Sequence, residues 1–582
     1  MRTTIYIRKI YSIRMKSIAI AFAAALLCCC TSGVSELNYR RLNAEAEKEY
    51  QTPLRPYKEG VSPCWNTYAK DFKFAPVFDF KKMDGAAKYR YTVWQDSESS
   101  YFWTTPMQQR PDNMFPKHQP TDTTAGFFTW IDITAPSAVS WSFVAKSPNE
   151  SLAPIWRKIP VGNCRLIVEA MDEGGKVLGV VGDRLFIRDF PFEGPYPDAP
   201  RPYRECAVWG CRYVHTMPAI QSWLTSAEPD MSYRHNTYPC KIIGATIRIE
   251  LLLAKLAPSM ADECLTVAKN AASFLIAQSQ PDSAVLAYFP PTYYKKLVAS
   301  ANVENQGTTM MMEASSAAQA FLDLYDYTGE KQYFDHAIGI AETYRRIQNE
   351  DGSYPVKVYL GTGEASADSH AMLHPLLMFL QRLHNQYGID DFLDTQSRGE
   401  NWMHSVAVRE FDMHGQFEDV SVLGWKPYMN LTNSTSGPYA SYLLRKDVVS
   451  DEDMKDVNDL MHLCEDQFVH WNALPNRDGF RQIPTPGVYE QYEYRVPIDN
   501  SNCNVANAWL DMYERNGDEL AFAKAKALVD AIANVQNKSN GRIETTWDMR
   551  SYKGDAGRAF WINCSLASVQ IFMRMAELTG EL

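Results

Sequence analysis

Six apolar helical stretches recur at nearly equal intervals along the second part of the chain, and this repeat limits the fold more than any other feature. The 3.6-residue periodicity places their starts near 240, 307, 369, 433, 501 and 560, a period of 59–68 residues. More polar-faced helices fall between them near 259–279, 331–349, 391–410, 452–471 and 519–537, and a twelfth near 212–226 would complete six pairs. Within a pair the connections are tight turns: Tyr327-Thr-Gly-Glu330, Tyr387-Gly-Ile-Asp390, Val449-Ser-Asp-Glu452 and Asn516-Gly-Asp-Glu519. Each puts Gly or Ser in the turn and an acidic residue at the next helix N-terminus, where the helix dipole favours it. Between pairs the connections are long, about 18–30 residues, and open on breakers such as Asp351-Gly-Ser-Tyr354, Asp412-Met-His-Gly415, Arg477-Asp-Gly-Phe480 and Asn540-Gly541. An open helical solenoid would not require long loops at one end only.

With these turns, and the loop Gln348-Asn-Glu-Asp-Gly-Ser-Tyr-Pro355 that follows an outer helix, residues 206–582 resemble the six-hairpin (α/α)6 toroids of the glycosidase-like superfamily. Glycoside hydrolases, uronate lyases and sugar epimerases share that scaffold. The resemblance implies a catalytic domain whose active site lies at the N-terminal ends of the inner helices, beneath the loops that join one hairpin to the next.

The preceding region has a different texture. Over 70–192 the alternation has period two, in Tyr89-Arg-Tyr-Thr-Val-Trp94, Ser140-Trp-Ser-Phe-Val144 and Arg165-Leu-Ile-Val-Glu-Ala170. The turn Asp172-Glu-Gly-Gly175 then leads to Val177-Leu-Gly-Val-Val181, a hairpin similar to the closing hairpin of fibronectin-III or immunoglobulin-like folds. An N-terminal β-sandwich is therefore expected over 70–192. It is followed by a Pro-rich linker over 193–205 and preceded by a tether and early packing segment over 31–69.

Residues 1–30 have the pattern of an export signal. Arg2, Arg8, Lys9, Arg14 and Lys16 precede the apolar run Ile18-Ala-Ile-Ala-Phe-Ala-Ala-Ala-Leu-Leu27, and Cys28-Cys-Cys30 follows. The run is too short to span a bilayer. A Cys at the cleavage position resembles a bacterial lipoprotein signal, which implies lipidation at Cys30 and a periplasmic or outer-membrane-anchored protein. Discarded cysteines of an ordinary secreted signal are the alternative. Nine cysteines remain beyond Cys30 without a CxxC pair, so most are expected to be buried free thiols.

Composition narrows the chemistry. A formal charge of −11 argues against nucleic acid as a partner, and membrane contact is expected only through the lipid anchor. No GxSxG element and no Gly-rich phosphate loop is present, which argues against a serine nucleophile and nucleotide chemistry. His370 and His374 stand at i, i+4, but no third ligand is placed by the sequence, so neither metal nor cofactor is expected. Aromatic residues make up 12% of the chain and many lie in the long connections: Tyr294, Trp425, Tyr489, Tyr492, Trp547 and Trp561. Flat rings pack on the C–H faces of pyranoses, so these are candidate platforms for an oligo- or polysaccharide, with loop anchoring as the other explanation.

Carboxylates lie among the same rings. Asp368, Glu490, Glu493 and Asp548 are the candidate catalytic groups, because glycoside hydrolysis needs one protonated acid and one base or nucleophile. Asp368 also suits a helix N-cap. Glu304, His370 and Arg550 complete the candidate binding set, Arg550 as a clamp for a sugar carboxylate. Tyr, His and Arg in these loops could equally serve proton abstraction beside a uronate carboxylate. The sequence thus supports an exported glycoside hydrolase first, a uronate-directed lyase or epimerase second, and a non-catalytic surface glycan-binding protein third.

Overall fold

A computed structural model describes residues 37–54, 69, 71–96, 131–295, 305, 307–366, 369–409, 413, 431–472, 484–491, 494–547 and 560–582. Six helices form an inner ring: α3 (Gly244–Leu256), α5 (Glu313–Thr328), α7 (His374–Tyr387), α9 (Ser436–Leu444), α11 (Asp499–Asn516) and α13 (Ile562–Leu578). Outside them lie α2 (Tyr203–His215), α4 (Ala261–Gln278), α6 (Lys331–Ile347), α8 (Leu393–Trp402), α10 (Asp451–Gln467) and α12 (Glu519–Val535). Each inner helix packs on the next, and α13 returns to α3, so the ring is closed. Its last inner helix, α13, takes the first outer helix, α2, as its partner.

The tight turns behave as their residues require. Gly329, Gly388 and Gly517 end α5, α7 and α11 in the left-handed region, at φ of 72°, 67° and 77°, where a Cβ would be strained. Ser450 and Asp453 form a capping box on α10, and the Asp518 carboxylate accepts from the first turn of α12. Such caps contribute about 1 kcal/mol each. Inner helices approach closely through small residues: a Cβ on Gly437 of α9 would sit 2.8 Å from the Asn504 carbonyl oxygen of α11.

One helix position differs from the sequence pattern. The twelfth helix begins at Tyr203 and stops at His215, because Pro218 breaks the stretch expected as 212–226 into short turns.

Among the described residues the N-terminal region carries one five-stranded sheet in the order β1-β5-β4-β2-β3. Its strands are β1 (Asp71–Phe72), β2 (Lys88–Asp96), β3 (Ala138–Ala145), β4 (Gly162–Met171) and β5 (Val177–Arg188). The expected β4–β5 hairpin is present, but a facing second sheet, and with it a fibronectin-III or immunoglobulin-like sandwich, is not found among the described residues. Phe72, Phe78, Trp156 and Phe186 pack ring against ring beside the sheet, and β1 joins β5 in parallel.

The sheet and α1 (Tyr39–Glu49) are fixed to the toroid by buried charge. Lys73 Nζ meets Asp189 at 2.7 Å, and the Lys73 and Phe74 amides donate to Asp466 of α10. Lys524 of α12 bridges Glu465 at 2.7 Å and Glu49 of α1 at 3.0 Å. Asp466 and Glu465 of α10 thus take partners from the N-terminal region and from α12, which makes the junction specific as well as close.

Candidate functional site

The inner ring encloses a cavity of about 890 Å³. Its mouth receives one polar residue from the N-terminal end of each inner helix: Lys241, Glu313, His374, Ser434, Asn500 and Asn563. Convergent helix N-termini add partial positive charge there, which suits oxygen-rich or anionic groups. The long connections carry short sheets at this end. β6 (Thr308–Met310) pairs with β7 (Lys357–Tyr359), and β9 (Gly487–Gln491) lies between β8 (Val469–His470) and β10 (Tyr494–Pro497).

Two described carboxylates line the mouth, Glu313 and Glu490. They come from different hairpins. Glu490 sits on β9, and its carbonyl oxygen accepts from the Asn433 amide at 3.0 Å and from Thr432 Oγ1 at 2.9 Å. These bonds fix its backbone against the loop that enters α9. Glu313, the first residue of α5, pairs with Lys241 Nζ at 3.2 Å. Lys241 in turn lies 5.9 Å from the ring centroids of both Tyr238 and Trp561. Trp561 is stacked on His235 at 3.9 Å and is held by its amide, which donates to Thr545 Oγ1 at 2.8 Å. Burial pushes the Cys564 thiol well up, the charges of Asp499 and Glu490 push it further, and Lys241 opposes them. Both sides of the mouth therefore share one electrostatic neighbourhood.

Two further titratable groups belong here. His374 is buried and lines the cavity, with its Nδ1 lacking a hydrogen-bond partner among the described residues. Burial pushes its imidazole down to about 3, so it is neutral at physiological pH. Asp499, fully buried just behind Asn500, has its carboxyl pushed well above the usual range by burial.

The floor, two to three helical turns deeper, is built differently. Arg248 and Arg382 both bind Asp323 of α5 at 2.7 Å. On the other side of the ring Arg445 and Arg574 bind Asp511 of α11 at 3.0 and 2.6 Å. The two Arg–Asp–Arg triads use α3, α5 and α7, then α9, α11 and α13, so the floor repeats once around the ring. Burial pushes Asp323 up, but the charges of Arg248 and Arg382 outweigh it and hold the carboxyl below its ordinary range.

No family model and no curated protein matches the chain. Solved structures do match. A family 76 glycoside hydrolase from a bovine Bacteroides thetaiotaomicron strain is 8% identical over 87% of this chain and 99% of its own, with a TM-score of 0.42. The cellobiose 2-epimerase of Spirochaeta thermophila is 9% identical over 64% and 98%, with a TM-score of 0.43. An unsaturated glucuronyl hydrolase specific for heparin is 10% identical over 65% and 97%, with a TM-score of 0.41.

Of the residues expected from sequence, Glu490 and Trp561 reach the cavity. Four described residues do not line it. Tyr294 packs edge-on against Phe274 at 5.2 Å and exchanges hydrogen bonds with Thr237, so it anchors its loop. Tyr489 is buried against His470, and Trp547 is buried with its amide bonded to the Pro497 carbonyl. His370 is exposed, 5.5 Å from the Trp402 ring, and is not paired with His374. Asp368, Glu493, Asp548, Glu304, Trp425, Tyr492, Arg550 and Cys30 lie outside the described residues. Lys241, Glu313 and His374 were not anticipated as site residues. Lys241 interrupts the apolar run Tyr238-Pro-Cys-Lys-Ile-Ile243, and a lone charge at an inner-helix start was the available signal.

Proposed function

We propose that the chain is an exported, lipid-anchored glycoside hydrolase that acts on an oligo- or polysaccharide held in the mouth of the toroid. The observation that carries this reading is the pair Glu313 and Glu490, set on different hairpins around one cavity beside the Trp561 ring. Hydrolysis needs a proton donor for the leaving oxygen and a carboxylate for water or the anomeric carbon. The ion pair with Lys241 suits Glu313 to the charged role, which leaves Glu490 as the acid. Asp368, Glu493 and Asp548 belong to the same set of loops and are the further candidates. Trp561 offers a flat face for a sugar ring. Export rests on the basic and apolar leader, and anchoring on Cys30.

A second reading has its own observation. His374 is a neutral imidazole in the cavity wall, and the burial that keeps it neutral makes it a weak base but a fixed hydrogen-bond partner for a substrate carbonyl or carboxylate. Such a partner would assist abstraction of the neighbouring proton by another group, as a lyase or epimerase requires. Incubation with a glycan panel, following reducing ends and ultraviolet absorbance together, separates the cases. New reducing ends without absorbance support hydrolysis. A rise in both means elimination, an epimeric sugar without new ends means epimerisation, and retention on glycan gels without any reaction means a binding protein.

A further inference from the structure

Away from the cavity, between the first inner helix and the two outer helices beside it, His215 of α2, Glu250 of α3 and Cys264 of α4 converge. All three are buried, and none lines the cavity. Their ligand atoms lie within 4.8 Å of one another. His215 Nδ1 is 2.8 Å from Glu250 Oε2 and 3.8 Å from Cys264 Sγ. We propose that His215, Glu250 and Cys264 form a structural site for a divalent transition metal with zinc-like preferences.

Chemistry and geometry agree on this assignment. Imidazole, carboxylate and thiolate are the donors that zinc takes in tetrahedral protein sites, at about 2.0–2.3 Å. Donors around such a centre stand about 3.5 Å apart, so movements of under about an ångström would close the set. One carboxylate and one thiolate neutralise the ion, which a buried position requires. Glu250 Oε1 is buried with no hydrogen-bond partner among the described residues, and a metal would give it one. On the far face of the ring His215 Nε2 is 3.6 Å from the Glu263 carboxylate, which would accept its proton as an outer-shell partner. Binding would release the thiol proton and any proton on Nδ1.

Position gives the site a purpose. Helix α2 closes the ring by packing on α13, from which it is separated by almost the whole domain sequence. A metal held by α2, α3 and α4 would staple that closing helix to its neighbours.

The test uses the full chain, stripped with a chelator and reloaded with zinc or cobalt(II). The expected result is one tightly held zinc per chain after gel filtration. Cobalt should give tetrahedral visible bands and a near-ultraviolet thiolate charge-transfer band. Cys264→Ser should abolish that band, and His215→Gln should lose the metal while far-ultraviolet circular dichroism is kept. A wild-type chain that retains no zinc after reloading overturns the proposal whatever the variants do, and so does unchanged zinc retention in both variants. In either case the three groups are a buried imidazole–carboxylate pair with a thiol beside it.

Discussion

The mouth and the floor of the central cavity are lined by the same six helices, yet they distribute charge differently. At the floor each of Asp323 and Asp511 is shared between two arginines, one from each neighbouring inner helix. At the mouth the charged and polar groups come one per helix, only Lys241 and Glu313 of those described are joined as an ion pair, and His374 leaves a ring nitrogen unbonded among the described residues. Paired charge holds a ring of helices together. Groups with spare hydrogen-bonding capacity on a cavity wall can be given to a ligand.

The contrast is broken or sharpened by four substitutions. The largest effect should come from Glu490→Gln, which keeps the shape but removes the proton: turnover of the hydrolysed glycan should fall about 10²–10⁴-fold with an unchanged thermal midpoint. If Glu490→Gln unfolds the protein instead, the mouth is built like the floor. Next is Asp511→Ala, which takes the shared carboxylate from a half-exposed Arg445 and from Arg574, the latter keeping Glu514 and Asn507. It should destabilise the fold by about 1–2 kcal/mol in urea titrations, and turnover per folded molecule should stay near wild type. Trp561→Ala should raise KM by about tenfold, near 1–2 kcal/mol, with a smaller change in kcat, as steady-state kinetics would show.

The smallest effect is a pH slope. Folded His374 stays neutral down to about 3, whereas an unfolded imidazole titrates near 6.5. Between these values the unfolded chain binds the extra proton, so stability is full above about 6.5 and is lost as pH falls. Burial pushes Asp466 up to about 6, which acts in the opposite direction, but it is common to both proteins. His374→Gln should therefore show a shallower fall of thermal midpoint from about pH 7 to about pH 5 than wild type. Equal slopes would mean that the imidazole reaches solvent.

The toroid was legible because its signals are local. Apolar periodicity places all six inner helices within six residues of their observed starts, and Gly329, Gly388 and Gly517 mark turns that only their left-handed backbone makes. The N-terminal sheet was half legible: period-two alternation reveals strands, but whether one sheet or two results depends on pairings across the region, such as β1 beside β5. Site residues were the least legible. Aromatic rings in Tyr288–Tyr294 look like a sugar platform by composition, yet Tyr288 lies over Gly339 of α6 and Tyr294 against Phe274, so they pin the loop to the outer ring. The floor triads were invisible for another reason. Arg248, Asp323 and Arg382 each look like an ordinary charge on a helix, and only the packing of consecutive inner helices brings them together.

The way the ring closes also sets a timetable. Helix α2 is the first of the toroid to be synthesised, but the face it buries is completed by α13, the last. Until Leu578 is available the chain holds an unpartnered apolar helix at each end of an open crescent, the kind of surface that associates with other chains. A long-range contact between the two ends must then form late, at the entropic cost of closing a very large loop. A circularly permuted chain, with its original ends joined and new termini opened at Gly388, would move that waiting period to a different pair of helices and reveal how much it governs folding yield.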